Sequence, residues 1–564
     1  ADGGPIAYVY AAPDGDAGDF GAIRGCRGFF TSHAAPTVFL PVQARLENKA
    51  TVIAAPCAFV GDGAERRLAF RRPDGSVVET VAPYRAVRLE GPDRTVEVPE
   101  GSLVAVSGST GAISLGATAT TSSVVRRAYD LLLRCYVASL EKCGPAEALA
   151  RLAEAETYRS CRDELLPLVR HPAFVGFQRV LRWARARSPL KVFVTAHTVE
   201  EVCRAALFAA EIGVDEAGDV RVVPAAGQRG VGLLRDERMW TTDEELDLLR
   251  LVFLGAAPLG RDRWADVERR YLDVHGPRLR AVLAAGSGAL AVVRTPCMPY
   301  GKLFPAGFDL AGFAARTGVG AAAIAAPAAA MSAETEPYHG CRGLRLFCVR
   351  PDIATLWLTA LLTAVRDLRR EGVPLRVRIL LATATLPAEV RAFLDLYDRV
   401  AARTLGDDAG GDAIDGVSVM LETAGAYIAL EELCRLRGRH VRVDGGLVGS
   451  NDFTAACLNF NRADAPHTII PGYVEAGLLP ASPFQHLDES IVGRAILSSL
   501  DRTRSADAGG RPFLWGLGGE LSADPRTVRW LSEHAAPRGL AYVSTTSFQI
   551  PSALLAAAQA AVAG

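Results

Sequence analysis

Lysine is nearly missing from this 564-residue chain. Lys49, Lys142, Lys191 and Lys302 are the whole set, and arginine supplies almost all of the 62 basic residues. The bias fits a GC-rich coding sequence better than selection at each site. No long basic run disturbs the balance of 62 basic against 63 acidic residues, which speaks against a nucleic-acid-binding surface. No cysteines stand at CxxC or other metal-ligand spacing. The 11 present are scattered and odd in number, and read as reduced thiols of an intracellular protein, cytoplasmic or in an organelle. Long apolar runs are lacking too: the Ala-rich stretch 319–331 is broken by Pro327 and is too short for a membrane span. The first residues show no charged-then-apolar leader, and the last five are no peroxisomal address. What the chain does have is 49 % hydrophobic residues, enough for large cores in roughly two to four domains.

Three regions differ in pattern. Residues 1–118 are rich in Gly and Pro, with short β-type runs at Thr51–Ala55 and Leu103–Ser107. Turn residues between Val106 and Ile113 predict a strand-turn-strand. Residues 119–188 carry apolar positions at helical spacing, over Val124–Lys142 and Pro145–Tyr158, and read as a helical linker. From 189 to 564 strand and helix alternate. Eight strands are predicted: Lys191–Ala196, Gly230–Arg235, Ala289–Thr295, Val377–Ala384, Val417–Thr423, Val443–Ser450, Pro512–Gly518 and Leu540–Thr545. That rhythm predicts an α/β chain ending in a closed (β/α)8 TIM barrel, with a doubly wound open sheet as the alternative. The Gly/Asp stretch Gly406–Gly416 reads as an exposed loop.

In such a barrel the chemistry sits at the carboxyl ends of the strands. Arg235, Arg294, Glu422 and the run Gly449-Ser450-Asn451-Asp452 fall there, and Arg342 and Arg345 lie between the third and fourth strands. Guanidinium forks bind phosphate and carboxylate oxygens in pairs. Two carboxylates from different strands can share Mg²⁺, whose octahedron substrate oxygens and water complete. Amides around Gly449–Asn451 add anion contacts. The set suits a small, highly anionic substrate with a divalent metal. Near the start, Arg27-Gly28-Phe29-Phe30-Thr31-Ser32-His33-Ala34-Ala35 places a histidine among small residues, where an imidazole can be presented to a ligand.

These strings resemble those of the phosphoenolpyruvate (PEP)-utilising enzymes, above all the pyruvate, phosphate dikinase branch. RGFFTSHAA is similar to the family's phosphohistidine motif RGGMTSHAA. GVGLLRDERMW (Gly230–Trp240) resembles GIGLCRTEHMF, VMLE (Val419–Glu422) resembles IMIE, and GSNDFTA (Gly449–Ala455) resembles GTNDLTQ. SPFQHLDESIVG (Ser482–Gly493) and the final strand and helix, Ala541–Val562, continue the likeness in the same order. The resemblance implies a small swivelling phosphohistidine domain over 1–118, a linker over 119–188 and a PEP-binding barrel over 189–564. It implies that Arg235, Arg294, Arg342, Ser450 and Asn451 bind PEP or pyruvate, that Glu422 and Asp452 ligate Mg²⁺, and that His33 carries the phosphoryl group. It further implies a homo-oligomer formed through the barrel.

The likeness fails at informative places. Where the family has the cysteine of GICGE, which protonates the enolate, this chain has Gly518. Cys297 takes the place of an aspartate in LLDPP. Thr335-Glu336-Pro337 replaces ENP, and Ala424-Gly425 replaces the Pro-Arg after the metal-binding glutamate. The family's nucleotide-binding domain does not precede His33 in this sequence, so it belongs to a partner chain, or to a missing N-terminal part, or the nucleotide half-reaction is lost. Two functions from different classes follow: a Mg²⁺-dependent phosphotransferase moving phosphate between PEP and His33, or a dikinase-derived pseudoenzyme with a scaffold or regulatory role. A third keeps PEP but gives its enolate a non-proton electrophile.

Overall fold

The computed structural model describes residues 9–12, 28–31, 50–52, 57–71, 77–90, 95–99, 102, 104–107, 112–115 and 123–563, save 141–142, 226, 228, 306, 335–338, 407–412 and 507–511. The chain divides into two compact units, Ala1–Thr121 with Asn461–Ser482, and Ser122–Phe460 with Pro483–Gly564.

The first unit is mainly β among its described residues. Strands β1 (Val9–Ala12), β2 (Gly28–Thr31) and β3 (Ala50–Val52) form a parallel sheet with β2 in the centre. Strands β4 (Cys57–Arg71), β5 (Val77–Glu90) and β6 (Thr95–Pro99) form an antiparallel sheet. The expected strand-turn-strand is the hairpin β7 (Val104–Ser107) with β8 (Ala112–Leu115), and Val106 faces Ile113 across it. Gly28–Thr31 is thus the central strand of that sheet. Phe29 and Phe30 are the reason, being buried at 0 % and 5 % exposure, with Phe30 packed against Val52 in the unit's small core. His33 lies outside the described residues.

The second unit opens with four helices, Val124–Leu140, Pro145–Ala150, Glu156–Arg170 and Pro172–Arg187. The fourth starts sharply: Pro172 needs no intrahelical partner at the first turn, and the His171 ring accepts from the Ala173 amide at 3.1 Å. The barrel follows. Strands β9 (Lys191–Ala196), β12 (Gly230–Leu234), β13 (Leu290–Arg294), β14 (Arg376–Leu381), β15 (Gly416–Leu421), β16 (Val443–Gly449), β17 (Leu514–Gly518) and β18 (Leu540–Thr545) are parallel, and β18 closes on β9. Between β9 and β12 the chain inserts a hairpin that the strand-helix rhythm did not predict, β10 (Ala210–Val214) with β11 (Val220–Pro224). Of the predicted exposed loop Gly406–Gly416, 407–412 fall outside the described residues, while Ala413 and Ile414 are buried.

Alternation along the strands sorts the side chains. Leu290, Val292, Leu380, Met420, Leu447 and Tyr542 fill the barrel interior. Val377, Ile379 and Leu381 point the other way into the larger core beneath the helices. The interior is plugged at the amino ends of the strands by Arg378. Its guanidinium pairs with Asp444 and donates to Ser418 Oγ at 3.2 Å and the Val417 carbonyl at 3.3 Å. At the carboxyl ends the same parity brings Arg294 and Glu422 inward. Two glycines stand side by side there, Gly449 opposite Gly518 in the β16–β17 register; the side chains of Met420 and Glu422 pack over Gly449, and Leu447 and Leu233 lie next to Gly518.

Candidate active site at the barrel mouth

Arg294 is the last residue of β13, is 8 % exposed, and pairs with Glu237 in the turn after β12. Arg342 stands before the Leu344–Val349 helix, is 4 % exposed, and pairs with Asp452 at 2.6 Å. Asp452 comes from the first turn of the Ser450–Leu458 helix that follows β16. The partners are 57 and 110 residues apart in sequence; the first pair meets because β12 and β13 are neighbours in the barrel, the second across its mouth. Cys297 is buried beside the same groups. Burial pushes its thiol up, Glu422 and Glu237 add to that, and Arg342 and Arg294 oppose it.

Glu422 follows β15 and is 4 % exposed. Its Oε1 accepts the Thr383 amide at 2.5 Å. Thr383 has a φ of 55°, a left-handed backbone that threonine rarely adopts, and its hydroxyl donates to the Arg342 carbonyl at 2.9 Å. That turn is why β14 stops at Leu381 instead of running to Ala384: the chain leaves the ladder to aim an amide at Glu422. Burial pushes the Glu422 carboxyl above its ordinary range, Asp452 pushes it further, and Arg342 and Arg294 pull it back. Room for the carboxylate depends on Gly449. A Cβ there would come within 2.8 Å of Glu422 Oε2 and 2.7 Å of Met420 Cε.

The electrostatics of the cluster are internally compensated. Burial opposes the charge on Arg342, but Cys297, Asp452 and Glu422 outweigh it and hold its pKa above the usual value. Arg294 behaves alike, with Glu237, Cys297 and Glu422 as the counterweights. Burial also opposes ionised Glu237, and Arg294, Arg235 and Arg238 still hold it below its usual range. Arg238 is the exception: burial, with Arg235 beside it, brings its guanidinium down to about 9. Compensation is nevertheless incomplete in hydrogen bonds. Arg294 Nε, Glu237 Oε2 and Ser450 Oγ are buried with no partner. Buried polar atoms left unmet are costly, and here three of them gather at one mouth.

Of the residues singled out in the sequence, Arg235, Arg294, Arg342, Cys297, Glu422 and Asp452 are brought into one electrostatic cluster. Asn451 sits at the rim, where its Oδ1 accepts the Glu520 amide at 3.2 Å. Ser450 is 1 % exposed, next to Gly519, whose φ is 102° and at which a Cβ would lie 2.4 Å from Ser450 Oγ. Gly518 faces the interior: a Cβ built on it would meet Leu447 at 3.4 Å and Leu233 at 3.6 Å. Asp236 points away from the mouth, to His275 Nε2 at 3.1 Å and Trp357 Nε1. The substitution at Thr335-Glu336-Pro337 lies outside the described residues. Arg238 and Thr383 are the functional candidates the sequence reading missed. Arg238 follows the arginine motif by three residues, and Thr383 would have been found by asking what ends the fourth strand.

Two carboxylates, one of them pushed up by the other, form a place where a divalent cation relieves repulsion. Among the described residues no three His, Cys, Asp or Glu side chains cluster to hold a metal unaided. Glu422 and Asp452 would therefore need oxygens from water or substrate to complete a shell, which is how Mg²⁺ is commonly held.

A closed parallel barrel with paired charges buried at the carboxyl ends of its strands defines a (β/α)8 protein whose mouth is its working face. The chain belongs to the PEP-utilising enzyme family: the family model described as "PEP-utilising enzyme, PEP-binding domain" matches residues 193–562. It is similar to pyruvate, phosphate dikinase 1, chloroplastic, of Arabidopsis thaliana, with 26 % identity over 388 residues, 68 % of this chain and 36 % of that protein. It is similar also to pyruvate, phosphate dikinase of Entamoeba histolytica, with 25 % identity over 401 residues, 68 % of this chain and 41 % of that one. The match thus spans about two-fifths of these relatives' length. A citrate lyase structure from Burkholderia xenovorans covers 36 % of this chain at 18 % identity and a TM-score of 0.23, a likeness too slight to carry an argument. Among the described residues no helix is long and apolar enough to cross a membrane.

Proposed function

We propose that this protein is a phosphotransferase of the dikinase kind, binding PEP and Mg²⁺ at the barrel mouth and exchanging a phosphoryl group with His33. The observation that carries the reading is the buried cluster of Arg294, Arg342, Glu422 and Asp452, with Arg294 Nε and Ser450 Oγ still without hydrogen-bond partners. An anionic ligand with several oxygens meets those needs. Arg235, Arg294 and Arg342 bind its phosphate and carboxylate, and Ser450 and Asn451 orient it from the rim. Mg²⁺ held by Glu422 and Asp452 would neutralise charge on the phosphoryl oxygens. When ligand arrives, Glu237 and Asp452 need not keep their arginines to themselves, since the pairs already present pre-organise the guanidinium forks. Residues 1–118 serve as the phosphohistidine domain and 119–188 as the linker.

The test is direct. After incubation with PEP and Mg²⁺, intact-mass and peptide mass spectrometry should find acid-labile phosphate on His33, and His33→Ala should remove it. Phosphate confined to Thr31 or Ser32, or none at all with PEP bound, would overturn the phosphocarrier role.

A second reading, a pseudoenzyme of the same family, is favoured by one observation. Gly518 offers no acid where the family resemblance places one, and the nearby Cys297 thiol is pushed up by burial. General acid catalysis is commonly worth ~10²–10⁴-fold. Under this reading PEP still binds but pyruvate formation is slow.

A further inference from the structure

The helices that precede the barrel hold a pair of thiols that the PEP reading does not use. On the Val124–Leu140 helix, Leu131, Leu132 and Cys135 fall at helical spacing on the buried face, and Cys135 is 0 % exposed. On the Glu156–Arg170 helix, Cys161 lies one turn from Tyr158 and one turn from Leu165, both buried. It packs against the same core while staying partly exposed. The two sulfurs meet at 3.4 Å, about 1.4 Å longer than a disulfide bond, and both residues are free thiols. A second contact joins the same two helices, Arg127 Nη2 to Glu164 Oε1 at 3.2 Å. The thiols differ in reactivity. Burial pushes the Cys135 thiol up to about 12, and its hydrogen bond with Cys161 adds to that, so Cys135 is inert on its own. Cys161 is the sulfur that solvent reaches.

From the contact between the sulfurs and their unequal exposure, we propose that Cys135 and Cys161 are a reversible redox couple, which a peroxide oxidises to a disulfide tying the first helix of this unit to the third. In the first step the Cys161 thiol, losing its proton, attacks a peroxide oxygen and becomes a sulfenic acid, and water departs. In the second, the Cys135 sulfur attacks the sulfenic sulfur, and its proton leaves with the hydroxyl as a second water. The peroxide gains the two electrons that the sulfurs lose. A dithiol reductant returns both to thiols by exchange. The cysteines are 26 residues apart, so the bond closes a loop long enough to restrict the unfolded chain. The pair belongs to the helices ahead of the barrel, and the couple stands whether or not PEP is the ligand at the mouth.

The reduced full chain is treated with a small excess of hydrogen peroxide, then followed by non-reducing peptide mass spectrometry and thermal melting. A cross-link between the peptides carrying Cys135 and Cys161 is expected, reversed by dithiothreitol, with the oxidised form melting a few degrees higher. Cys161→Ser, at a partly exposed position, should abolish both the cross-link and the shift. Cys135→Ala should abolish both as well, and should let dimedone trap a sulfenic acid on Cys161, a readout that does not depend on the stability of the variant. No cross-link under peroxide, a cross-link between other cysteines, a melting temperature that does not rise on oxidation, or no dimedone adduct on Cys161 in Cys135→Ala would overturn the couple.

Discussion

At the amino ends of the strands, inside the barrel, Arg378 is held by Asp444, Ser418 Oγ and the Val417 carbonyl. At the carboxyl ends, Arg294 and Arg342 are equally buried and equally paired, yet Arg294 Nε, Glu237 Oε2 and Ser450 Oγ are left over. Both arrangements require charge to be desolvated, which rarely adds net stability. They differ in what remains to be done. The lower pair is engaged by protein alone and reads as a plug. The Arg294–Glu237 pair retains capacity for hydrogen bonds, beside two carboxylates that repel one another. Buried charge by itself does not mark a site. Buried charge with unmet hydrogen-bonding capacity does.

The contrast can be broken by mutation, and the largest effect should fall at the bottom. Asp444→Ala leaves Arg378 buried without its acid and should cost about 3–5 kcal/mol in chemical denaturation, while the folded fraction binds PEP as before. Should it lose PEP affinity without losing stability, the plug would belong to the site after all. Next in size is Gly518→Cys. A Cβ there meets only ordinary contacts, 3.4 Å to Leu447 and 3.6 Å to Leu233, so the variant should fold normally. Pyruvate formation should rise by up to ~10²–10⁴-fold, the range of a positioned acid. A folded variant that binds PEP with no gain in turnover would favour the pseudoenzyme reading.

Glu422→Gln sharpens the comparison from the other side. It removes the repulsion between Glu422 and Asp452, so thermal stability without metal should be unchanged or higher, while the Mg²⁺ dependence of PEP binding disappears. A fall in stability with metal dependence kept would make Glu422 a structural acid. The smallest effect is in acid. Glu201 accepts the His197 amide at 2.7 Å and the Thr198 amide at 3.2 Å. Burial opposes its charge, but His197 and those amides hold its pKa below the ordinary 4.5. A depressed carboxylate contributes stability that is present above its unfolded pKa and lost as pH falls through the folded one. Glu201→Gln should therefore flatten the decline of melting temperature below pH 4.5, and an unchanged slope would remove Glu201 from the acid response.

How far the sequence could be read follows the same division. Strands β9 and β18 run from Lys191 to Ala196 and from Leu540 to Thr545, as their apolar pattern predicts, because both faces of each are buried. Strand β17 also ends at Gly518 as predicted, while β12, β13, β14, β15 and β16 stop one to three residues short at the mouth. There the chain turns out of the ladder to place function, as at Thr383, and local apolar pattern carries no sign of that turn. The hairpin β10–β11 was hidden inside what reads as a single strand-helix connection. Arg294, Arg342, Glu422 and Asp452 were legible as residues at strand ends. Their pairing was not, since Arg342 and Asp452 meet across 110 residues. Arg238 and the contact between Cys135 and Cys161 were invisible, because burial and proximity across helices are properties of packing.

The central claim is that the mouth is an anion and metal site, and calorimetric titration of PEP with and without Mg²⁺, on the unaltered chain and on Asp452→Ala, tests it most directly. The account predicts tighter PEP binding with Mg²⁺ in the unaltered chain and no effect of Mg²⁺ in Asp452→Ala. Equal affinity with and without the metal in the unaltered chain would contradict it.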